Sequence, residues 1–251
     1  MPEDNRVGAY QEIPFRPERN ATLDTLRWAK KRLQVPILLE VDVTSAREAV
    51  REYRKRTGKG LSFTAWVVSC VARAAAEHPR VHSVRKGKRR LVLFQEVDVA
   101  VLVERATGGV VGNAAGEAEA AAAGGTAGAA REAGEEAART HARRQTLPMP
   151  VVIRKAHKKN PSEIHDEIRR AQTAEISPGS SSIERAAPPW VQALFFRLPA
   201  LARDLLFWRW LLRSPWRIKK TMGTVVVTAA GMAAPGVLSW GVPQGIHPLA
   251  V

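Results

Sequence analysis

The sequence predicts an α/β fold, and three observations predict it. Ile37, Leu39, Val41 and Val43 alternate with Glu40 and Asp42, a strand pattern that runs into a helical one. Apolar residues recur at three- and four-residue spacing between Ser62 and Pro79. A nearly continuous apolar run occupies Val97–Val103, as in a strand covered on both faces, and Gly223–Thr228 is a final β-rich run. At 251 residues with 45% hydrophobic content, the chain is long enough to bury a real core.

Taken in order, residues 1–22 carry Pro2, Pro14 and Pro17 and read as an irregular N-terminal arm. A helix is expected from Leu23 to Leu33, then the strand Ile37–Val43. Ser45 and Glu48 have capping-box spacing for the next helix, whose apolar side is Ala46, Ala49, Val50 and Tyr53 and whose stop is Gly58. Ser62 is placed to cap the next helix, with Trp66, Val67, Cys70, Val71 and Ala74 as its buried face. Val81–Val84 and Leu91–Phe94 flank the basic run RKGKRR, where Gly87 predicts a hairpin turn.

Between Asn113 and Thr146 no apolar side chain exceeds alanine. Such a segment cannot bury enough surface to offset its ordering entropy. It reads as a low-complexity insertion, or as a shifted reading frame of GC-rich DNA. A strand is expected at Pro150–Ile153. Asn160-Pro161-Ser162-Glu163 is a helix start with Asn as cap, and Ile164, Ile168 and Ala171 then share a face. Ser177–Pro189 is a linker in composition. Trp190–Arg213 is helical in pattern, with Val191, Leu194, Phe195, Leu198, Leu201, Leu205, Trp208 and Leu212 as its stripe and Pro199 as a kink. Its arginines and tryptophans would suit a membrane surface, but packing on the domain's own sheet or on a partner subunit is the expectation.

The net charge of +15 permits polyanionic partners without naming one. No nucleic-acid, P-loop, dinucleotide or zinc motif accompanies it, so specific nucleic acid and metal are not expected. The one cysteine, Cys70, excludes an internal disulfide and is expected as a small buried hydrophobe. MPEDNRVGAY has no apolar signal core, so a cytoplasmic location is expected.

Several stretches together carry a family resemblance: EVDVTSAREAV, LSFTAWVVSCVARAAAEHPRVHS, EVDVAVLVE with the later PMPVVIRKA, and GTVVVTAAGM. Their kind and order resemble the catalytic domain of the dihydrolipoyl acyltransferases of 2-oxoacid dehydrogenase complexes, over roughly residues 20–110 and 148–251. The resemblance implies a chloramphenicol-acetyltransferase-like fold, a two-layer α+β sandwich of mixed sheet and packed helices. It makes 23–251 one acyltransferase-like domain around the insertion. It implies acyl transfer between coenzyme A and a dihydrolipoyl-type thiol or other acceptor, in a homotrimer whose site lies between subunits. A lipoyl domain would be the natural partner, although this sequence has no lipoyl attachment site of its own.

For the site, GTVVVTAAGM resembles the family's GTFTISNLGM. Thr228 then stands where the family's serine donates its hydroxyl to the oxyanion. The same residue also reads as a strand-end threonine bonding backbone, and Ala229-Ala230 replaces the family's Asn-Leu. The family's base is a histidine in a His-x-x-x-Asp-Gly motif. Four residues beyond His78, His82, His141, His157, His165 and His247 stand His82, Lys86, Gln145, Pro161, Arg169 and Val251, so none of the six has that partner. The sequence ends at GIHPLAV, so truncation is expected. A catalytically inactive, structural or membrane-associated relative is the alternative. His165, beside Asp166 on a helix, is expected on a solvated surface. The cations of 85–90, Lys158-Lys159 and Arg217–Lys220 are either phosphate holders for coenzyme A or solubilising ends.

Deleting 113–146 should leave the thermal midpoint within a few degrees, because the segment offers no apolar anchor. Loss of solubility or a large drop in midpoint would show that the segment packs.

Overall fold

The computed structural model describes residues 19–106, 146–173, 194–195, 197–229, 241 and 245–251. Outside them lie most of the N-terminal arm, the low-complexity stretch up to Gln145 with His141, the 177–189 linker, Trp190, Val191 and most of 231–248. The elements in chain order are α1 (Arg19–Ala29), α2 (Thr44–Thr57), α3 (Phe63–Glu77), β1 (Val84–Lys86), β2 (Arg90–Val92), β3 (Val99–Ala106), β4 (Thr146–Ile153) and α4 (Pro161–Thr173). Next is a composite helix: α5 (Ala200–Arg203), a π turn over Asp204–Trp208, and α6 (Arg209–Leu212). Then come α7 (Pro215–Met222), β5 (Val225–Val227) and β6 (Leu249–Ala250).

The fold is mixed α/β. Its main sheet has the order β4-β3-β5-β6, with β4 antiparallel to β3 and the other pairs parallel. Val99, Val101 and Val103 alternate onto one face, where Val151, Ile153, Val225 and Val227 join them. Helices α3 and α4 cover that face with Ala65, Val68, Ala72 and Ala75, and with Ile164, Ile168 and Ala171. Fully burying an Ile or Val side chain contributes about 1.5–3 kcal/mol, so this layer contact is the main source of cohesion. A second cluster, around Ala29, Trp208, Leu211, Met222 and Ile246, joins α1 to the composite helix and α7. The buried pair Arg203–Asp24 lies beside it, with Nε donating to Oδ2 at 2.7 Å.

Several local signals act as read. The Ser62 hydroxyl accepts the Ala65 amide at 3.2 Å. Asn160 Oδ1 accepts the Glu163 amide at 2.9 Å, and Glu163 returns a carboxylate to the Asn160 amide at 2.8 Å. Gly58 closes α2 at φ 65°, and Gly87 turns the β1–β2 hairpin at φ 63°.

Others are corrected. The segment Ile37–Val43 forms no strand: its apolar side chains are exposed except for the half-buried Val43, and no neighbouring strand pairs with it among the described residues. Ser45 and Glu48 do not cap α2, because the helix begins at Thr44, whose amide donates to Asp42 Oδ1 at 2.9 Å. In α3 the deepest face is Ala65, Val68, Ser69, Ala72 and Ala75, which shares no residue with the expected face and lies on nearly the opposite side of the helix. Cys70 is therefore exposed, not buried. α1 ends at Ala29 rather than Leu33, where the amides of Lys30, Lys31 and Arg32 turn back onto Leu26, Trp28 and Ala29.

Gly223, between α7 and β5, has φ 77° and ψ −174°, a region that essentially only glycine enters. A Cβ there would sit 2.6 Å from the Asp98 carbonyl oxygen. Gly223→Ala should therefore destabilise the fold by at least ~1–3 kcal/mol, read as a lower urea midpoint at unchanged slope. An unchanged midpoint would show that the turn is not constrained as described.

Candidate active site

The centre of the sheet determines what can gather there. β5 lies parallel to β3, and Thr228 comes immediately after its C-terminal end. The Thr228 amide donates to the Val251 carbonyl at 2.8 Å, and its half-buried hydroxyl lies 3.4 Å from the same oxygen. The side chain thus has a hydroxyl at the strand end, turned in this structure toward backbone. Thr228 is the one position that the sequence offers as catalytic, by resemblance alone.

The described histidines serve other contacts. His82 is fully buried, and its Nδ1 lies 3.0 Å from the hydroxyl of buried Thr224. Its Nε2 has no hydrogen-bond partner among the described residues. Burial pushes His82 below its ordinary value of 6.5, with Lys219 and His157 adding to the effect against the Ala75 carbonyl and Asp98. His247 is buried with Nε2 3.0 Å from the Met222 carbonyl; burial lowers it too, opposed by that carbonyl and aided by Arg32. His157 Nδ1 accepts the Val97 amide at 3.3 Å. His165 is buried rather than solvated: α4 turns it inward, and Nδ1 accepts the Ser62 amide at 3.1 Å. Gly60 leaves room for that ring, since a Cβ there would meet Nε2 at 2.9 Å. The spacing of Ile164, Ile168 and Ala171 already placed 165 next to the buried face; only the long-range amide was invisible in sequence. His78 is exposed at the end of α3.

The basic groups divide. Lys159 pairs with Glu167, and Lys155 with Glu96 at 3.0 Å. Lys158 lies 3.9 Å from the same Glu96 carboxylate. Arg217 stacks over the Trp210 ring at 4.1 Å, and Lys219 lies over Phe94 at 5.1 Å. Lys88, Arg89 and Arg90 stand exposed on the hairpin. Among the described residues no group of His, Cys, Asp and Glu is arranged to hold a metal ion.

A residue missed in sequence organises this region. Asp98 is buried: its Oδ1 accepts the Lys155 amide at 2.9 Å and its Oδ2 accepts Arg154 at 3.0 Å. Its carbonyl takes the Thr224 amide at 3.1 Å and the Val225 amide at 3.3 Å. Only the acid between Val97 and Val99 in an otherwise apolar run signalled it.

These buried imidazoles set a pH dependence. His82 and His247 both titrate below 6.5 in the folded chain, so near that pH the unfolded chain binds protons that the folded one excludes. Stability should be full above about pH 6.5, decline as the pH falls toward the lowered folded values, and level off below them. Thermal unfolding across about pH 8 to 5 checks this, with His82→Gln expected to flatten the acid limb. A midpoint constant through that window, or the same limb in the variant, would refute the role of His82.

Comparisons with known proteins bear on this arrangement. The sequence matches the family "2-oxoacid dehydrogenases acyltransferase (catalytic domain)" over residues 7–147, more than half of its 251 residues. Thr228 lies outside the matched stretch. No curated protein matches it. Among solved structures, it is similar to a probable dihydrolipoamide acetyltransferase from Listeria monocytogenes, at 18% identity and TM-score 0.49, covering 97% of this chain and 72% of that one. It is also similar to the cubic core of a pyruvate dehydrogenase multienzyme complex, at 14% identity and TM-score 0.48, covering 91% and 66%. A truncated catalytic core of the 2-oxoacid dehydrogenase complex from Thermoplasma acidophilum aligns at 16% identity and TM-score 0.43, covering 66% and 63%. With more than half of its length matching, this chain belongs to the 2-oxoacid dehydrogenase acyltransferase catalytic-domain family.

Proposed function

We propose that this chain transfers an acyl group between coenzyme A and a thiol of the dihydrolipoyl type, and that it does so slowly. The family match over residues 7–147 is the observation that carries the reading. In such a transfer the acceptor thiolate attacks the thioester carbonyl, a carbon–sulfur bond forms, and a tetrahedral oxyanion develops. The bond to coenzyme A then breaks, and the proton lost by the acceptor ends on the coenzyme A sulfur. The Thr228 hydroxyl, at the end of β5, would donate to the oxyanion in place of the Val251 carbonyl it now faces. The exposed cations Lys88, Arg89 and Arg90 are the candidates for the coenzyme A phosphates. A homotrimer with a lipoyl domain as acyl partner is the assembly that accords with membership of this family.

A second reading, a non-catalytic relative, is favoured by one specific observation. Four of the five described histidines have a ring nitrogen engaged by the chain's own backbone or by a buried hydroxyl. His157 and His165 accept an amide at Nδ1 and so carry their proton on Nε2, while His82 and His247 are buried away from any thiol arriving from solvent. General-base catalysis is worth typically 10²–10⁴-fold, which an oxyanion donor does not replace.

An assay of acetyl-coenzyme A with dihydrolipoamide distinguishes the readings. Expected is saturable coenzyme A binding with turnover about 10²–10⁴-fold below that of a relative with the imidazole. Thr228→Ala should lower the residual rate by about 10²-fold, while Thr228→Ser retains it. Absence of both binding and turnover would leave the non-catalytic reading. A clean monomer in sedimentation would refute the trimer.

A further inference from the structure

The composite helix should carry its apolar stripe inward, yet the structure divides it. In a π turn each residue advances less around the axis than in an α-helix, so the Asp204–Trp208 insertion rotates the phase of the residues beyond it. Arg203, Trp208 and Leu211 face the interior. Leu201, Leu205, Leu206 and Trp210 are left on the other side, exposed by 85, 61, 64 and 51%. Arg209 and Arg213 are exposed on the same stretch, and Arg197 stands just before it. Trp216, 53% exposed on α7, lies under the Lys86 ammonium at 4.3 Å.

We propose that this face docks on an anionic lipid surface. Two properties select that occupant. The first is charge: residues 194–222 contain seven cations and one acid, Asp204, and the one buried cation, Arg203, is neutralised by Asp24. The second is the interleaving of leucine and tryptophan with arginine. A surface offering hydrocarbon just beneath negative headgroups satisfies both, with indole at the boundary and guanidinium groups on phosphate. A polyanion without apolar depth leaves the leucines unburied. A second copy of the same face opposes arginine to arginine, with only Asp204 to compensate, in a chain of net charge +15. No helix among the described residues is long and apolar enough to cross a membrane, so the contact is with the surface of the bilayer. Assembly of copies through other surfaces is compatible with it, and lipid docking does not depend on the acyl-transfer reading.

The experiment is co-sedimentation of the full chain with vesicles of phosphatidylglycerol and phosphatidylcholine, beside vesicles of phosphatidylcholine alone. Binding to the anionic vesicles, with a blue shift of tryptophan emission, is expected. Leu201→Glu with Leu205→Glu should abolish it; both positions are exposed, and circular dichroism verifies that the variant folds. Arg209→Gln with Arg213→Gln should weaken it by roughly fivefold per arginine. Four results each overturn the proposal: no binding to anionic vesicles at low salt, equal binding to neutral ones, binding unaffected by the leucine substitutions, or an oligomer that those substitutions dissociate.

Discussion

The structure depends first on the backbone and side chain of Asp98. One residue at the entry to β3 fixes three segments that are remote in sequence. Its carboxylate holds the turn after β4, through the Lys155 amide and Arg154. Its carbonyl holds the start of β5 through Thr224 and Val225. Arg154 extends the tie to α7 by donating to the carbonyls of Lys219 and Lys220. Hydrogen bonds to a charged group contribute about 1.5–3 kcal/mol, and a buried acceptor left without its donors costs a comparable amount. The parallel pairing of β3 and β5, which brings Thr228 to the end of the central strands, therefore starts from a register set at Asp98. Gly223 obeys the same constraint, because the carbonyl that receives two amides leaves no room for a side chain beside it.

The same arrangement explains why polar residues that look catalytic in sequence have structural roles. The turn Met222-Gly223-Thr224 is held at its carbonyl by His247 and at its threonine hydroxyl by His82, while Asp98 takes the amide. His165 supplies a ring nitrogen to the Ser62 amide at the entrance to α3, where that backbone donor would otherwise be unsatisfied, and His82 meets the Thr224 hydroxyl before β5. Membership of the family is then a statement about scaffold, and the proposed acyl transfer stands or falls on whether the Thr228 hydroxyl meets an oxyanion and on what removes the thiol proton.

What was legible in the sequence was local. Ser62, Asn160, Gly58 and Gly87 act through partners within four residues, so spacing alone identified them. What was not legible needed a distant partner or a shift of phase. The α3 face was placed on the wrong side of the helix because alanines, which carry little apolar signal, make its tight contact with the sheet, while the larger Trp66 and Val67 are only half-buried. The composite-helix stripe was read at 3.6 residues per turn across a segment that contains a π turn. Asp98 itself was hidden, since nothing near it in sequence supplies the groups it binds. Thr228 was visible only by likeness to a family motif.

The segment Ile37–Val43 shows the same limit most clearly. Its alternation is that of a strand, yet a strand exists only when a neighbour supplies donors and acceptors. Among the described residues the sheet offers two edges, β4 and β6. Pro148 and Pro150 oppose Glu104 and Leu102 in the β4–β3 ladder, and having no N–H they occupy positions whose amide would point away from β3. Two of the outward donors of β4 are thereby absent, which closes that edge to another strand. β6 offers a pairing length of only two residues. Gln34 reaches the Gly245 carbonyl at 2.8 Å and so anchors the segment near the entry to β6, but beyond it the chain finds no ladder to join. The pattern fixes which side chains of Ile37–Val43 would share a face; it has no means of supplying the neighbour that would make that face a sheet.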